Sequence, residues 1–307
     1  MHYENARSWP VLPAPALRLP GLRRLVRRTV DCPPGPPAPT VVPDLPLVHS
    51  DEAAPRWMWL GHASFLMQLG GENVLIDPVF STQIGQRFRR HVAPPLAPEQ
   101  LPQIDTVLIT QSRPDHLDPA TIARLPRSAT ILAPRGLGPW FCRRLFARII
   151  ELDWWDRVRV GPIEYTFVPA GNGAGASVLN VPRLHGGGFV IESEQASIYY
   201  AGDTARAAGF GRIGRRFPGL DAALLPVGGN RGSWLRPPSR LTPRQVCQAF
   251  VRTGARTLVP MHWGTFQLCS EALCAPVELL REHCRRVPLP NGCRLHVPTI
   301  GASVPLG

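Results

Sequence analysis

From Trp57 to Met261 the chain is divided into short apolar runs, most of them closed by a polar or turn residue, and this texture restricts the fold more than any other feature. Residues 57–60, 64–69, 73–77 and 106–110 come first, too short for ordinary helices and rich in branched and aromatic side chains, so they predict strands. Helices are expected at 119–125 and 138–147, with strands at 130–133, 149–152 and 163–169. The second half repeats the pattern: strands at 188–192, 197–203 and 221–227, a helix at 206–216, a helix at 242–253 and a strand at 257–261. Thr242 caps that last helix and Pro243 takes its first turn. Strands followed by helices, twice over, imply an α/β domain of two sheets with helices outside.

Upstream of this region the texture differs. Residues 1–55 read as a proline-rich extension, with Cys32-Pro33-Pro34-Gly35-Pro36-Pro37-Ala38-Pro39 at its densest, and residues 56–307 as the folded domain. Proline at that density excludes helix interiors and central strands, so the extension should wrap or trail. Within it, residues 17–28 alternate leucine with arginine and offer a peripheral contact with an anionic membrane, although Pro20-Gly21 breaks the stretch.

The formal charge of +12 comes from 34 basic residues, every one an arginine, against 22 acidic ones. It suits an anionic small-molecule or phospholipid substrate, but no recognised nucleic-acid-binding module accompanies it, so specific nucleic-acid binding is not expected. Seven scattered cysteines without C-x-x-C spacing indicate neither a disulfide framework nor a zinc ribbon, and a cytoplasmic location fits them. No run reaches the length of a membrane span, and no signal peptide is evident.

Chemistry should lie where buried strands end. Three such ends carry four metal-type donors: Asp115 and His116 in Thr110-Gln111-Ser112-Arg113-Pro114-Asp115-His116-Leu117-Asp118, Asp203 in Ala201-Gly202-Asp203-Thr204, and His262 in Met261-His262-Trp263-Gly264-Thr265-Phe266. Gly61-His62-Ala63 and Ile76-Asp77-Pro78 precede them. In this order the motifs resemble the metallo-β-lactamase superfamily, specifically the branch that includes N-acyl-phosphatidylethanolamine phospholipase D and related bacterial hydrolases. The resemblance covers roughly residues 55–270 and implies a four-layer αβ/βα sandwich with its metal site between the two sheets.

That resemblance also implies a ligand set. The family loop reads H-x-H-x-D-H, and here Gln111 and Arg113 stand at its first two histidines. With Asn172 at the third position, the first zinc site is lost and its metal is expected to be absent. The second site remains as Asp115, His116, His262 and the bridging Asp203, which would hold one zinc ion. His62, Asp77 and Thr265 would support these ligands from behind.

Arg113 carries a permanent charge and cannot coordinate a cation. It either supplies the electrostatic part of the missing metal, as a donor to a phosphoryl or acyl oxygen, or it forms an ion pair with Asp115 or Asp203 and fills the vacated space. Two functions follow. One is a single-metal hydrolase of a phosphodiester, another ester or a lactone, with Asp115 and Arg113 as catalytic residues. The other is an inactive binding or scaffold protein with an arginine-filled site. His185 is a weaker candidate as a replacement ligand, residues 171–175 resemble a phosphate-cradling loop only superficially, and Ser239 stands where the resemblance implies a further histidine.

Overall fold

The computed structural model describes residues 33–49, 54–85, 88–170, 186–204, 209–228 and 241–306. Two seven-stranded mixed sheets form its centre. The first runs, edge to edge, Ser303–Pro305, Arg56–Gly61, Ser64–Leu69, Glu72–Ile76, Thr106–Leu108, Thr130–Pro134 and Arg148–Leu152. Its pairings are antiparallel up to Glu72–Ile76 and parallel from there on.

The second runs Arg294–Leu295, Thr257–Met261, Ala222–Pro226, Ser197–Tyr200, Gly187–Glu192, Ile163–Pro169 and Arg157–Val160. It is parallel as far as Ser197–Tyr200 and antiparallel beyond. Parallel neighbours need crossovers, and the helices Pro119–Arg124, Phe210–Arg216, Pro243–Thr253 and Ala275–Arg286 lie in them.

Strand alternation sets the layers. Trp57 and Trp59 face the second sheet with Phe65, Met67, Val74 and Ile76, in one core with Tyr165, Phe167, Phe189 and Ile191. Met58, Leu60, Leu66 and Leu75 point the other way, onto a core shared with Ile122, Trp140 and Phe141. On the far side of the second sheet, Val246, Phe250, Val277 and Leu280 pack from the helices. The order is helix, sheet, sheet, helix. Strands buried on both faces explain why the runs in the sequence are nearly continuous in apolar residues.

Local signals set the helix ends. Asp118 accepts a hydrogen bond from the Ala120 N–H and Pro119 occupies the first turn. Thr242 and Gln245 cap each other reciprocally, and Gly254 closes that helix at φ 69°.

Several elements depart from the sequence reading. The helix expected at 138–147 ends at Cys142, and the Arg148–Leu152 strand follows the turn. The helix expected from 206 is described only as Phe210–Arg216, because residues 205–208 lie outside the described residues. The Ala275–Arg286 helix and the edge strands Arg157–Val160, Arg294–Leu295 and Ser303–Pro305 have no counterpart in that reading. Residues 33–41 wrap: the Ala38 N–H donates to the Gly264 carbonyl and the Val41 N–H to the Ile300 carbonyl, both at 2.9 Å. The arginine-leucine stretch 17–28 lies outside the described residues.

Candidate metal centre

Parallel strands of both sheets end at the same edge of the sandwich, the usual place for a ligand cleft in α/β folds. Asp115 and His116 follow Thr106–Leu108, Asp203 follows Ser197–Tyr200, and His262 follows Thr257–Met261. All four are buried, and one donor atom from each lies within 4.8 Å of the others. Asp115 Oδ2 is 3.5 Å from His262 Nε2 and 3.9 Å from His116 Nε2. A tetrahedral zinc shell with bonds of ~2.0–2.2 Å has edges of roughly 3.3–3.6 Å, so small side-chain movements would close the set around one ion.

The backbone is forced into shape at these ends. Gly202 sits at φ 60°, and a Cβ there would lie 2.3 Å from the Gly187 carbonyl oxygen, so only glycine lets the chain turn into Asp203 at this point. His62, Asp77 and His262 adopt φ values of 54°, 41° and 71°, a left-handed conformation uncommon outside glycine.

Asp77 anchors the back of the site. Its Oδ1 accepts from the Thr110 N–H at 2.8 Å, while its Oδ2 accepts from the Thr110 hydroxyl at 2.6 Å and from His116 Nδ1 at 2.7 Å. The Tyr200 hydroxyl, 2.9 Å from the same oxygen and 2.8 Å from the Ala63 carbonyl, has one proton to share between them. With Nδ1 as the donor, His116 turns its Nε2 lone pair toward Asp115, and that atom has no hydrogen-bond partner among the described residues. A carboxylate behind the imidazole is the usual support for a histidine that binds metal.

His62 also belongs to this back wall. Its N–H donates to the Thr265 hydroxyl at 2.8 Å, its carbonyl accepts from the His262 N–H at 2.9 Å, and its ring lies 3.7 Å from the His262 ring, centroid to centroid. Burial, with His262 close by, holds its pKa well below the ordinary imidazole value, so it is neutral at pH 7. Burial also opposes charge on His116, but Asp77, Asp115 and Asp203 outweigh it and raise that pKa. Asp115 pays the same desolvation, yet His116, the close His262 and His62 imidazoles, and Arg113 hold it well below the carboxylate range.

The front of the site is different. Arg113 Nη1 donates to Asp203 Oδ2 at 2.5 Å and Nη2 to Asp115 Oδ2 at 3.2 Å, so one guanidinium joins both carboxylates. The two uses of Arg113 considered from the sequence therefore share one geometry: it is paired with both acids and keeps 29% of its side chain exposed to solvent. Gln111 is buried beside Gly186, its Oε1 3.4 Å from where a Cβ would stand. Asn172, His185, Ser239 and residues 171–175 lie outside the described residues.

Tyr200, Thr110 and Ser64 hold the site although none was assigned a role from the sequence. The Ser64 hydroxyl donates to the Asp77 carbonyl at 2.7 Å and accepts from the Val79 N–H at 3.1 Å. Ser64 and Tyr200 lie within apolar runs, where a hydroxyl is read as tolerated core, and only the fold shows that Asp77 lies within reach. Asp118, the last residue of the loop, is a helix cap that also accepts from the Ser81 and Thr121 hydroxyls.

The donor set fits a divalent metal ion. Asp77, Asp115 and Asp203 outnumber the single guanidinium, two imidazoles join them, and His116 is turned for coordination. Residues 72–263 match the family model described as a beta-lactamase superfamily domain. The chain belongs to the metallo-β-lactamase superfamily.

Within this superfamily, the chain is 32% identical over 219 residues to a UPF0173 metal-dependent hydrolase of Rubrobacter xylanophilus, covering 69% of this chain and 82% of that one. It is 28% identical over 234 residues to the mitochondrial N-acyl-phosphatidylethanolamine-hydrolyzing phospholipase D of Saccharomyces cerevisiae, covering 72% of this chain but only 50% of the yeast protein. Igni18, a metallo hydrolase from the archaeon Ignicoccus hospitalis, superposes with a TM-score of 0.62 at 20% identity, over 82% of this chain and 98% of its own, a likeness of fold alone.

Proposed function

We propose that this metallo-β-lactamase-fold chain is a hydrolase that works with one zinc ion at Asp115, His116, Asp203 and His262, and that Arg113 takes over the charge of the missing first metal. The observation that carries this reading is the orientation of His116, locked by Asp77 so that its Nε2 faces Asp115 within a buried set of metal donors. A bound ion would supply Lewis acidity, polarising a substrate oxygen and making water easier to deprotonate.

The remaining work belongs to the chain's own groups. The exposed part of Arg113 can give a donor to an anionic oxygen while its other nitrogens keep Asp115 and Asp203 in place. Neutral His62 excludes water from the back of the site. A small hollow lined by Val227, Trp263, Phe266, Gln267 and Glu271 opens beside His262. The activity named for the yeast relative supports a phosphodiester substrate, a phospholipid among them; another ester or a lactone fits the same chemistry.

One observation favours the second reading, an inactive binding protein: Arg113 already pairs with both Asp115 and Asp203, as a residue filling a vacated site would. Metal analysis separates the two. Protein purified with zinc supplementation is expected to carry about one equivalent of zinc, lost in His262→Ala, and to hydrolyse bis(p-nitrophenyl) phosphate until a chelator is added. A wild-type protein without metal, or one with metal and no hydrolysis of phosphodiester, carboxylic ester or lactone probes, would overturn the hydrolase reading.

A further inference from the structure

Cys247 and Cys284 lie on facing turns of the Pro243–Thr253 and Ala275–Arg286 helices, with their sulfurs 3.5 Å apart and 37 residues between them in sequence. Both are free thiols. Other cysteines direct their sulfur at oxygen: Cys274 at the Pro36 carbonyl, Cys293 at the Ala255 carbonyl and Cys269 at the Glu271 carboxylate. The arrangement at 247 and 284 calls for a different account, because two thiols in van der Waals contact need only approach by about 1.5 Å to reach the ~2.05 Å of a disulfide.

We propose that Cys247 and Cys284 form a reactive dithiol that peroxide converts to an intramolecular disulfide. Cys284 is partly exposed whereas Cys247 is buried in the helix-packing core, so the oxidant meets Cys284 first. The contact with Cys247 lowers the Cys284 pKa, and the same contact together with burial raises that of Cys247. The Cys284 thiolate attacks one peroxide oxygen, the O–O bond breaks, and hydroxide leaves with one oxygen as the other stays on sulfur as a sulfenic acid. The Cys247 sulfur then displaces that oxygen, which leaves as water with the thiol proton; two thiols and one hydrogen peroxide become one disulfide and two waters.

The bridge would enclose the Thr257–Met261 strand and His262, and by shortening the unfolded chain's reach it should stabilise this part of the domain. The dithiol chemistry needs no metal, and both thiols sit on the helices outside the second sheet.

The test uses the full chain, reduced, desalted and treated with hydrogen peroxide, then alkylated and digested without reductant for peptide mapping. The expected result is a Cys247–Cys284 linked peptide as the main disulfide, reversed by dithiothreitol, with a Tm several degrees above that of the reduced protein. Cys247→Ser and Cys284→Ser should each abolish both the linked peptide and the Tm shift. Mapping of the wild type carries the test if either variant folds poorly. The proposal is overturned if both thiols remain alkylatable under conditions that oxidise exposed Cys142, if Cys284 runs on to sulfinic acid with Cys247 free, or if either cysteine bridges elsewhere.

Discussion

The back and the front of the candidate metal centre are both built on buried carboxylates, yet they are held in opposite ways. At the back, Asp77 is fully buried and meets four donors, from the Thr110 backbone, the Thr110 hydroxyl, His116 and Tyr200. At the front, Asp115 and Asp203 share one partly exposed guanidinium. The back is over-determined, since removing any one partner leaves others. The front depends on one flexible side chain that a cation or an anion could displace. This difference teaches where the fold tolerates a change of ligand: the loop positions to which the family resemblance assigns two histidines carry Gln111 and Arg113, while the support behind His116 is complete.

Three substitutions would break or sharpen this contrast. Asp77→Ala should have the largest effect, a loss of about 3–5 kcal/mol in urea unfolding, because it leaves the buried His116 imidazole, the Thr110 hydroxyl and the Thr110 N–H without their acceptor. A loss below about 1 kcal/mol would mean the back wall is no firmer than the front. Arg113→Ala should destabilise the metal-free protein by about 1–3 kcal/mol, less than the Asp77 change because the side chain is partly exposed. It should also raise zinc affinity at least about tenfold in competition with a chromophoric chelator, since a cation is removed from two ligands. Unchanged affinity would show that Arg113 does not compete for the site. Tyr200→Phe should cost least, about 1 kcal/mol, because Asp77 keeps its three other donors. A loss comparable to that of Asp77→Ala would place the tyrosine at the centre of the network.

The same contrast explains what could be read from the chain before its fold was known. The strands that cross the core were legible because both of their faces are buried, as in Trp57-Met58-Trp59-Leu60, and an unbroken apolar run survives any register. The edge strand Arg157–Val160 alternates arginine with valine and half faces solvent, so its signal resembles a loop. Ala275–Arg286 begins with Ala-Pro and lacks a capping side chain, so it gave no start signal. At the site, metal-type donors identify themselves by residue type, and these could be picked out as Asp115, His116, Asp203 and His262. Ser64, Thr110 and Tyr200 act through reach across the sandwich, and a one-dimensional reading does not contain that distance. Arg113 was visible as an oddity, but its simultaneous hold on residues 2 and 90 positions away is a fact of folding.

His62, Asp77 and His262 each sit in the left-handed region without being glycine. Conformations of this kind cost of order 1–3 kcal/mol apiece and persist only where surrounding packing imposes them. The cleft therefore behaves like a bent spring clamped by the sandwich around it: its geometry is borrowed from the rigidity of the sheets. Loosening the clamp at a distance, for instance by trimming Trp59 or by freeing residues 33–41 from Gly264 and Ile300, would let these turns relax toward ordinary backbone angles. The donors would then drift apart while the bulk of the molecule was still folded.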